Sequence, residues 1–288
     1  MRIAIVVVAV VAVLVVLAGG GAVYWVAGNV RVNDTVHAVN ADTDKMNTEG
    51  TQLDALTKSQ PAFPDLAATS SDQDFIKAAQ QFHSTAQQYL AELDKANRTV
   101  ADSRALLADA QRRVSAASGD WLTIPHRSRL DRERRSLSYE EQAIGVAQQL
   151  VDVARKQLQA SQHVVDAMSA YVQLAQKLDR QDWNGAQADD TQAHNLLAQS
   201  AQSAEGAHMP AGWDTAMAAL NKLVDDTKAA IGDLQKGDYA AAQTDGNRVE
   251  ADGKALQNLD TSSFGQDTYL QDLAHKIQTL EDKSNALK

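Results

Sequence analysis

Apolar residues return every seven positions through the middle of this chain. Leu130, Leu137, Ile144, Val151, Leu158, Val165 and Val172 form one unbroken row. The companion row, three residues on, is Glu133, Glu140, Ala147, Ala154, Ser161, Met168 and Ala175. Large side chains facing small ones let helices approach closely and supercoil. The preceding stretch repeats the pattern, with Ala79, Ala86, Leu93, Val100, Leu107 and Val114 in one row. Phe75, Phe82, Tyr89, Ala96, Ser103, Ala110 and Ala117 form the other. Only Ser118-Gly119-Asp120-Trp121-Leu122-Thr123-Ile124-Pro125 separates the two. A connection that short joins antiparallel neighbours, so 71–180 reads as a long antiparallel coiled-coil hairpin. At about 1.5 Å per residue each arm would run roughly 70–80 Å. The rows are satisfied either by packing within one chain or by pairing between chains.

A different pattern marks the N-terminus. From Ile3 to Val30 no residue is charged, and roughly 20 apolar residues suffice for a helix to span a bilayer core. The segment 3–28 therefore reads as a transmembrane signal anchor, with 1–2 as a cytoplasmic stub. Arg2 precedes the run, whereas Arg31 is followed by Asp34, Asp42 and Asp44. That bias places the N-terminus in the cytoplasm and the body outside it, periplasmic or on the cell surface. Gly19-Gly20-Gly21-Ala22 also fits a signal-peptide cleavage site. Against cleavage, Val23-Tyr24-Trp25-Val26-Ala27 continues the run and supplies interfacial aromatics. The row Val32, Val39, Met46, Leu53 carries a helical stalk over 29–60, stopped by Pro61 and Pro64. Ser70-Ser71-Asp72 offers N-caps for the next helix.

The C-terminal third, 181–288, reads as a helical bundle with an internal duplication at an offset of 56 residues. Leu178-Asp179-Arg180-Gln181-Asp182-Trp183-Asn184-Gly185-Ala186-Gln187-Ala188-Asp189 aligns with Leu234-Gln235-Lys236-Gly237-Asp238-Tyr239-Ala240-Ala241-Ala242-Gln243-Thr244-Asp245. Upstream, Val164, Met168 and Ala175 match Leu220, Val224 and Ile231. The shared Asp-aromatic core resembles the inter-helix turn of tetratricopeptide-type hairpins, which implies an Asp that caps the second helix and an aromatic packed beneath the turn. The period differs from the tetratricopeptide value of about 34, so the resemblance extends to the turn alone. Ligand stacking is the other role open to Trp183 and Tyr239. Helices are expected over 183–205, 211–236, 239–259 and 264–287, with breaks at Gly206, Pro210-Ala211-Gly212, Gly237-Asp238 and Ser262–Gly265.

Composition agrees with an all-α class: four Pro, few aromatics and no Cys, too few β-branched and aromatic residues for a sheet. Without cysteine there is no thiolate metal site, thiol catalysis or redox switch. The net charge of −10 argues against nucleic acid as a partner. Its distribution is uneven. Arg104–Arg135 holds eight bases and four acids, while Gln181–Lys288 holds eight bases and seventeen acids.

The seven His show no i, i+4 pair around a Glu, as a zinc hydrolase needs. His83 and His163 flank the seam and read as seam-edge residues. The carboxylate pairs Glu140-Glu141, Asp189-Asp190 and Asp225-Asp226 point about 100° apart on a helix, and read as solvated faces rather than an acid–base pair. Asp245-Gly246-Asn247 is too short for a calcium loop. The remaining candidate is the hairpin tip, where Trp121 is ringed by Arg112, Arg113, Arg127, Arg129, Arg132, Arg134 and Arg135. Such a ring suits an anionic membrane surface or an acidic partner. In the structural alternative Trp121 covers the hairpin end while Asp131 and Glu133 pair with the arginines.

The expectation is thus a non-enzymatic, bacterial-type membrane-anchored scaffold or adaptor of the cell envelope. It would take no cofactor, no metal and no nucleic acid. It would engage protein partners, or further copies of itself, through helical surfaces, with anionic lipid as a candidate contact at the tip. The alternative is a helical ligand-sensing ectodomain that signals through a partner membrane protein.

Overall fold

A computed structural model describes residues 61, 63, 71–119, 127–257 and 268–287. The expected stub, anchor and stalk, and Trp121 with most of the interhelical connection, lie outside these residues. Among the described residues about 91% are helical and none is in a strand, so the protein is all-α. The helices are α1 (Asp72–Gly119), α2 (Arg127–Asp179), α3 (Trp183–Ala204), α4 (Trp213–Lys236), α5 (Tyr239–Gln257) and α6 (Thr268–Asn285). No helix among the described residues is long and apolar enough to cross a membrane.

Ser71 opens α1: its hydroxyl accepts a hydrogen bond from the Asp74 amide at 3.2 Å, satisfying one of the first turn's free donors. The seven-residue rows then set what α1 and α2 bury. Leu93, Ala96, Val100 and Val114 on α1, and Leu137, Ala147, Val151, Ala154 and Val165 on α2, are all nearly inaccessible to water.

The chain forms two compact units. The first draws on Ala91–Asp152 and on the chain from Leu270 onward. In it, Gln148 donates to Asn97 at 2.9 Å and Gln111 donates to Glu141 at 3.0 Å. The partner recedes along α2 as position advances along α1, so the two segments are antiparallel. Helix α6 buries Leu270, Leu273, Leu280 and Ser284 here. The Ser284 hydroxyl donates to Glu140 at 2.6 Å and lies 2.7 Å from the Ser136 hydroxyl. Glu140, expected on a solvated face, is instead only 4% exposed. It occupies a seam position, and the hydroxyl of α6 makes its burial tolerable.

The second unit comprises Gln60–Leu90 and Val153–Tyr269. Its core joins Val164, Ala167 and Ala170 of α2 with Ala193 and Leu197 of α3, Trp213, Met217, Leu220 and Val224 of α4, and Leu256 of α5. The two duplicated turns have the same backbone. In the first, the amides of Gln181 and Asp182 donate to the carbonyls of Leu178 and Lys177. In the second, Gly237 and Asp238 donate to Leu234 and Asp233. Both are Schellman terminations. Each Asp then caps the next helix: Asp182 accepts from the Gly185 amide at 3.0 Å and Asp238 from the Ala241 amide at 3.1 Å. The left-handed position is Gly237 in one copy (φ 76°) and Gln181 in the other (φ 59°). The expected burial of both turn aromatics does not hold, because Trp183 is half-buried while Tyr239 is 74% exposed. The cap needs only the Asp, so the ring beside it is free to face water.

Two outcomes follow, read by thermal or urea unfolding. Val151→Asp buries an unpartnered charge at a position with no solvent exposure, costing several kcal/mol, and cooperative unfolding should be lost. An unchanged curve would mean the row does not hold the fold. At the duplicated turns, Gln181→Gly should stabilise by about 1 kcal/mol and Gly237→Ala should destabilise by about the same. Equal effects of one sign would refute the left-handed assignment.

Candidate functional site

Polar side chains from four successive helices converge at the edge of the second unit's core. Tyr171 of α2 places its hydroxyl 3.2 Å from that of Thr227 on α4, which itself donates to the Leu223 carbonyl at 2.7 Å. Burial raises the Tyr171 phenol above its ordinary value of 10.0, and the carboxylates of Asp252 and Asp190 push the same way, against the Thr227 hydrogen bond. Asp190 of α3 is 1% exposed, and neither of its oxygens has a hydrogen-bond partner among the described residues. His194, one turn on, brings Nε2 to 3.9 Å from Asp190 and 3.6 Å from Asp225 of α4. Burial lifts the Asp190 carboxyl above the ordinary aspartate value. His194 and Lys228 oppose the rise, and Asp225 adds to it.

On the other side of α4, Lys222 forms an ion pair with Asp252 of α5 and lies 3.7 Å from Asp226. The Lys222 hydrogen bond holds the Asp252 carboxyl below its ordinary value and raises the lysine in return. A further pair closes the first repeated turn, with Lys177 reaching the buried Asp189 at 2.7 Å. A Cβ at Gly185 would come 2.2 Å from the capping carboxylate of Asp182 and 2.9 Å from Cδ of Lys177. The small residue therefore leaves room for both side chains; the second copy has Ala241 at this position and no such lysine.

Beside this polar junction lies a cavity of about 80 Å³, walled by Phe75, Met168, Tyr171, Leu197, Leu220 and Leu256 among others. An engineered apolar cavity that admits benzene measures about 150 Å³, so this one holds at most a guest of a few atoms. Among the described residues no group of three or more His, Cys, Asp or Glu is arranged to hold a metal ion.

The arginines read from the sequence belong to the first unit. Arg112 and Arg113 both pair with Asp109 on α1, Arg113 at 3.5 Å. Arg134 lies 3.6 Å from Asp131, and Arg135 Nε donates to the Asp131 carbonyl at 3.4 Å. Arg132, Arg134 and Arg135 are exposed. Arg127 and Arg129 fall in the first turn of α2. Exposed pairs of this kind contribute about 0–1 kcal/mol each, so these pairs hold the arginines only weakly. His83, read as a seam-edge residue, is half-buried and bonded to Asp166 at 2.8 Å.

The burial of Asp189 and Asp190 corrects their reading as a solvated pair. Adjacent positions point about 100° apart on a helix, and α3 is covered on both of these faces. A hint was available in the repeat: Asp189 falls on the aligned segment next to buried Ala186, as Asp245 does next to Ala242. Comparison with protein-family models, curated proteins and solved structures gives no match.

The Lys222–Asp252 pair can be tested by pH. A carboxyl lowered on folding adds stability above its unfolded value and loses it as pH falls through the folded value. Asp252→Asn should therefore melt lower than the parent at neutral pH, by circular dichroism. The difference should close as pH drops below the ordinary aspartate value of 3.8. A gap that persists in acid would show that the ion pair is not its cause.

Proposed function

We propose that this chain is a membrane-anchored scaffold or adaptor of the cell envelope, non-enzymatic, whose helical body lies outside the cytoplasm. The observation that carries this reading is the uncharged run from Ile3 to Val30, with Arg2 before it and an acid-rich segment after it. A helix of that composition is at home in hydrocarbon. The rest of the chain suits contact through surfaces. Long helices with charged outer faces offer extended area, and the exposed arginines of α1 and α2 offer a local positive region in an acidic protein. Anionic lipid headgroups or an acidic protein would complement it.

A reporter that works only outside the cytoplasm, fused after Lys288, should be active and should sediment with membranes. An inactive reporter would overturn the topology. Release of the body in soluble form, starting near Val23, would replace the anchor by a cleaved signal.

A further inference from the structure

We propose that the arginine-rich end of the first unit is a docking face for the phosphate groups of an anionic phospholipid surface. It rests on the membrane anchor proposed for residues 3–28 and names the contact that the body then makes. The bases of this region are of one kind. All eight between Arg104 and Arg135 are arginine, whereas seven of the eight beyond Gln181 are lysine. Lysine would supply the same charge. Arginine adds a planar fork that grips a phosphate through two hydrogen bonds, and it sheds water more readily.

The helices bring these residues to one end. Gln111 of α1 meets Glu141 of α2, and the two segments are antiparallel. Counted from that contact at about 1.5 Å per residue, Arg112, Arg113, Arg132, Arg134 and Arg135 fall within roughly 14 Å along the helix axes. The fold makes little use of them. Asp109 is shared by Arg112 and Arg113, and Asp131 reaches Arg134 only at 3.6 Å. The side chain of Arg112 stays 78% exposed and that of Arg134 50%; Arg132 and Arg135 are exposed too. The first turn of α2 holds Arg127 and Arg129 and no acid, although cations there oppose the helix dipole. An external anion would offset that cost.

The face also lacks what a protein partner would grip. Protein interfaces centre on apolar or aromatic anchors, and no large apolar side chain is exposed among the described residues of α1 and α2. A headgroup layer needs no such anchor. It offers closely spaced phosphates, and the membrane helix would hold the face near them at high effective concentration.

The test uses the full chain reconstituted in vesicles. The chain has no cysteine, so Ser138→Cys, at an exposed position one turn from Arg134, carries a single fluorophore. Quenching by a headgroup-labelled lipid reports the approach of this face to the bilayer. It should be several-fold stronger when phosphatidylglycerol is mixed into phosphatidylcholine than in phosphatidylcholine alone. Salt at about 1 M, where screening acts within about 3 Å, should abolish the difference. Each glutamine placed at Arg112, Arg132, Arg134 or Arg135 should lower the docked-to-free ratio about fivefold, and changes at these exposed positions should leave the fold intact. Lysine at the same four positions keeps the charge and loses the fork, so it should fall between the parent and the glutamine variant. Equal quenching in both vesicles, or a glutamine variant quenched like the parent, would overturn the docking face. So would a label that responds to added poly-glutamate but not to phosphatidylglycerol, which would assign the face to an acidic protein. Flotation separates this result from the anchor. A chain that floats with neutral vesicles but shows no phosphatidylglycerol response refutes the docking face alone. One that floats only with anionic vesicles keeps the docking face and refutes the anchor, and one that floats with neither refutes both.

Discussion

An apolar row repeated every seven residues must be covered along its whole length, and everything else in this structure accommodates that demand. Because α1 and α2 carry such rows over many turns, each has to find a facing helix at nearly every turn. Small residues in the rows, among them Ala79, Ala86, Ala96, Ala147 and Ala154, are almost wholly buried. Their size lets backbones approach, and the gain comes from contact density rather than from a few large side chains. In the first unit the seam also buries a carboxylate, Glu140, and the serine hydroxyls of Ser136 and Ser284 close around it. Burying a polar group is tolerable only when it is fully hydrogen-bonded, so the C-terminal helix is tied to one register along α2.

The second unit solves the same problem with a repeat. Its two hairpins share the turn to the level of individual backbone hydrogen bonds, and the Tyr171–Thr227 contact joins equivalent positions of the two copies. Copies that coincide in backbone differ in side chains where they meet. There the chain has placed Asp190, His194, Lys222, Asp225, Asp226 and Asp252, all at the edge of an apolar core. Such a group of charges adds little net stability, because the desolvation of each carboxylate offsets what its pairing returns.

These features bear on function in a consistent direction. Extended helices and exposed, weakly paired arginines offer area for contact. At the polar junction Asp252 is engaged by Lys222, while Asp190 and Asp225 stand near His194.

Much of this architecture was legible in the residue pattern. The heptad rows identified the buried faces of α1 and α2, since periodicity alone decides which side of a helix is apolar. Ser71, Asp182 and Asp238 were readable as caps because capping is local chemistry, settled within three residues. The helix boundaries after Trp183 were close for the same reason. Tyr239 was misread, since exposure of a side chain beside a turn depends on what else packs there. The burial of Glu140 and Asp189 was hinted at only by their places in the seam and the repeat, and that of Asp190 was not legible at all. Adjacent acids on a helix look solvated in one dimension. Only the tertiary structure decides whether a second helix covers them, because burial is set by residues distant in the chain, such as Ser284 over Glu140.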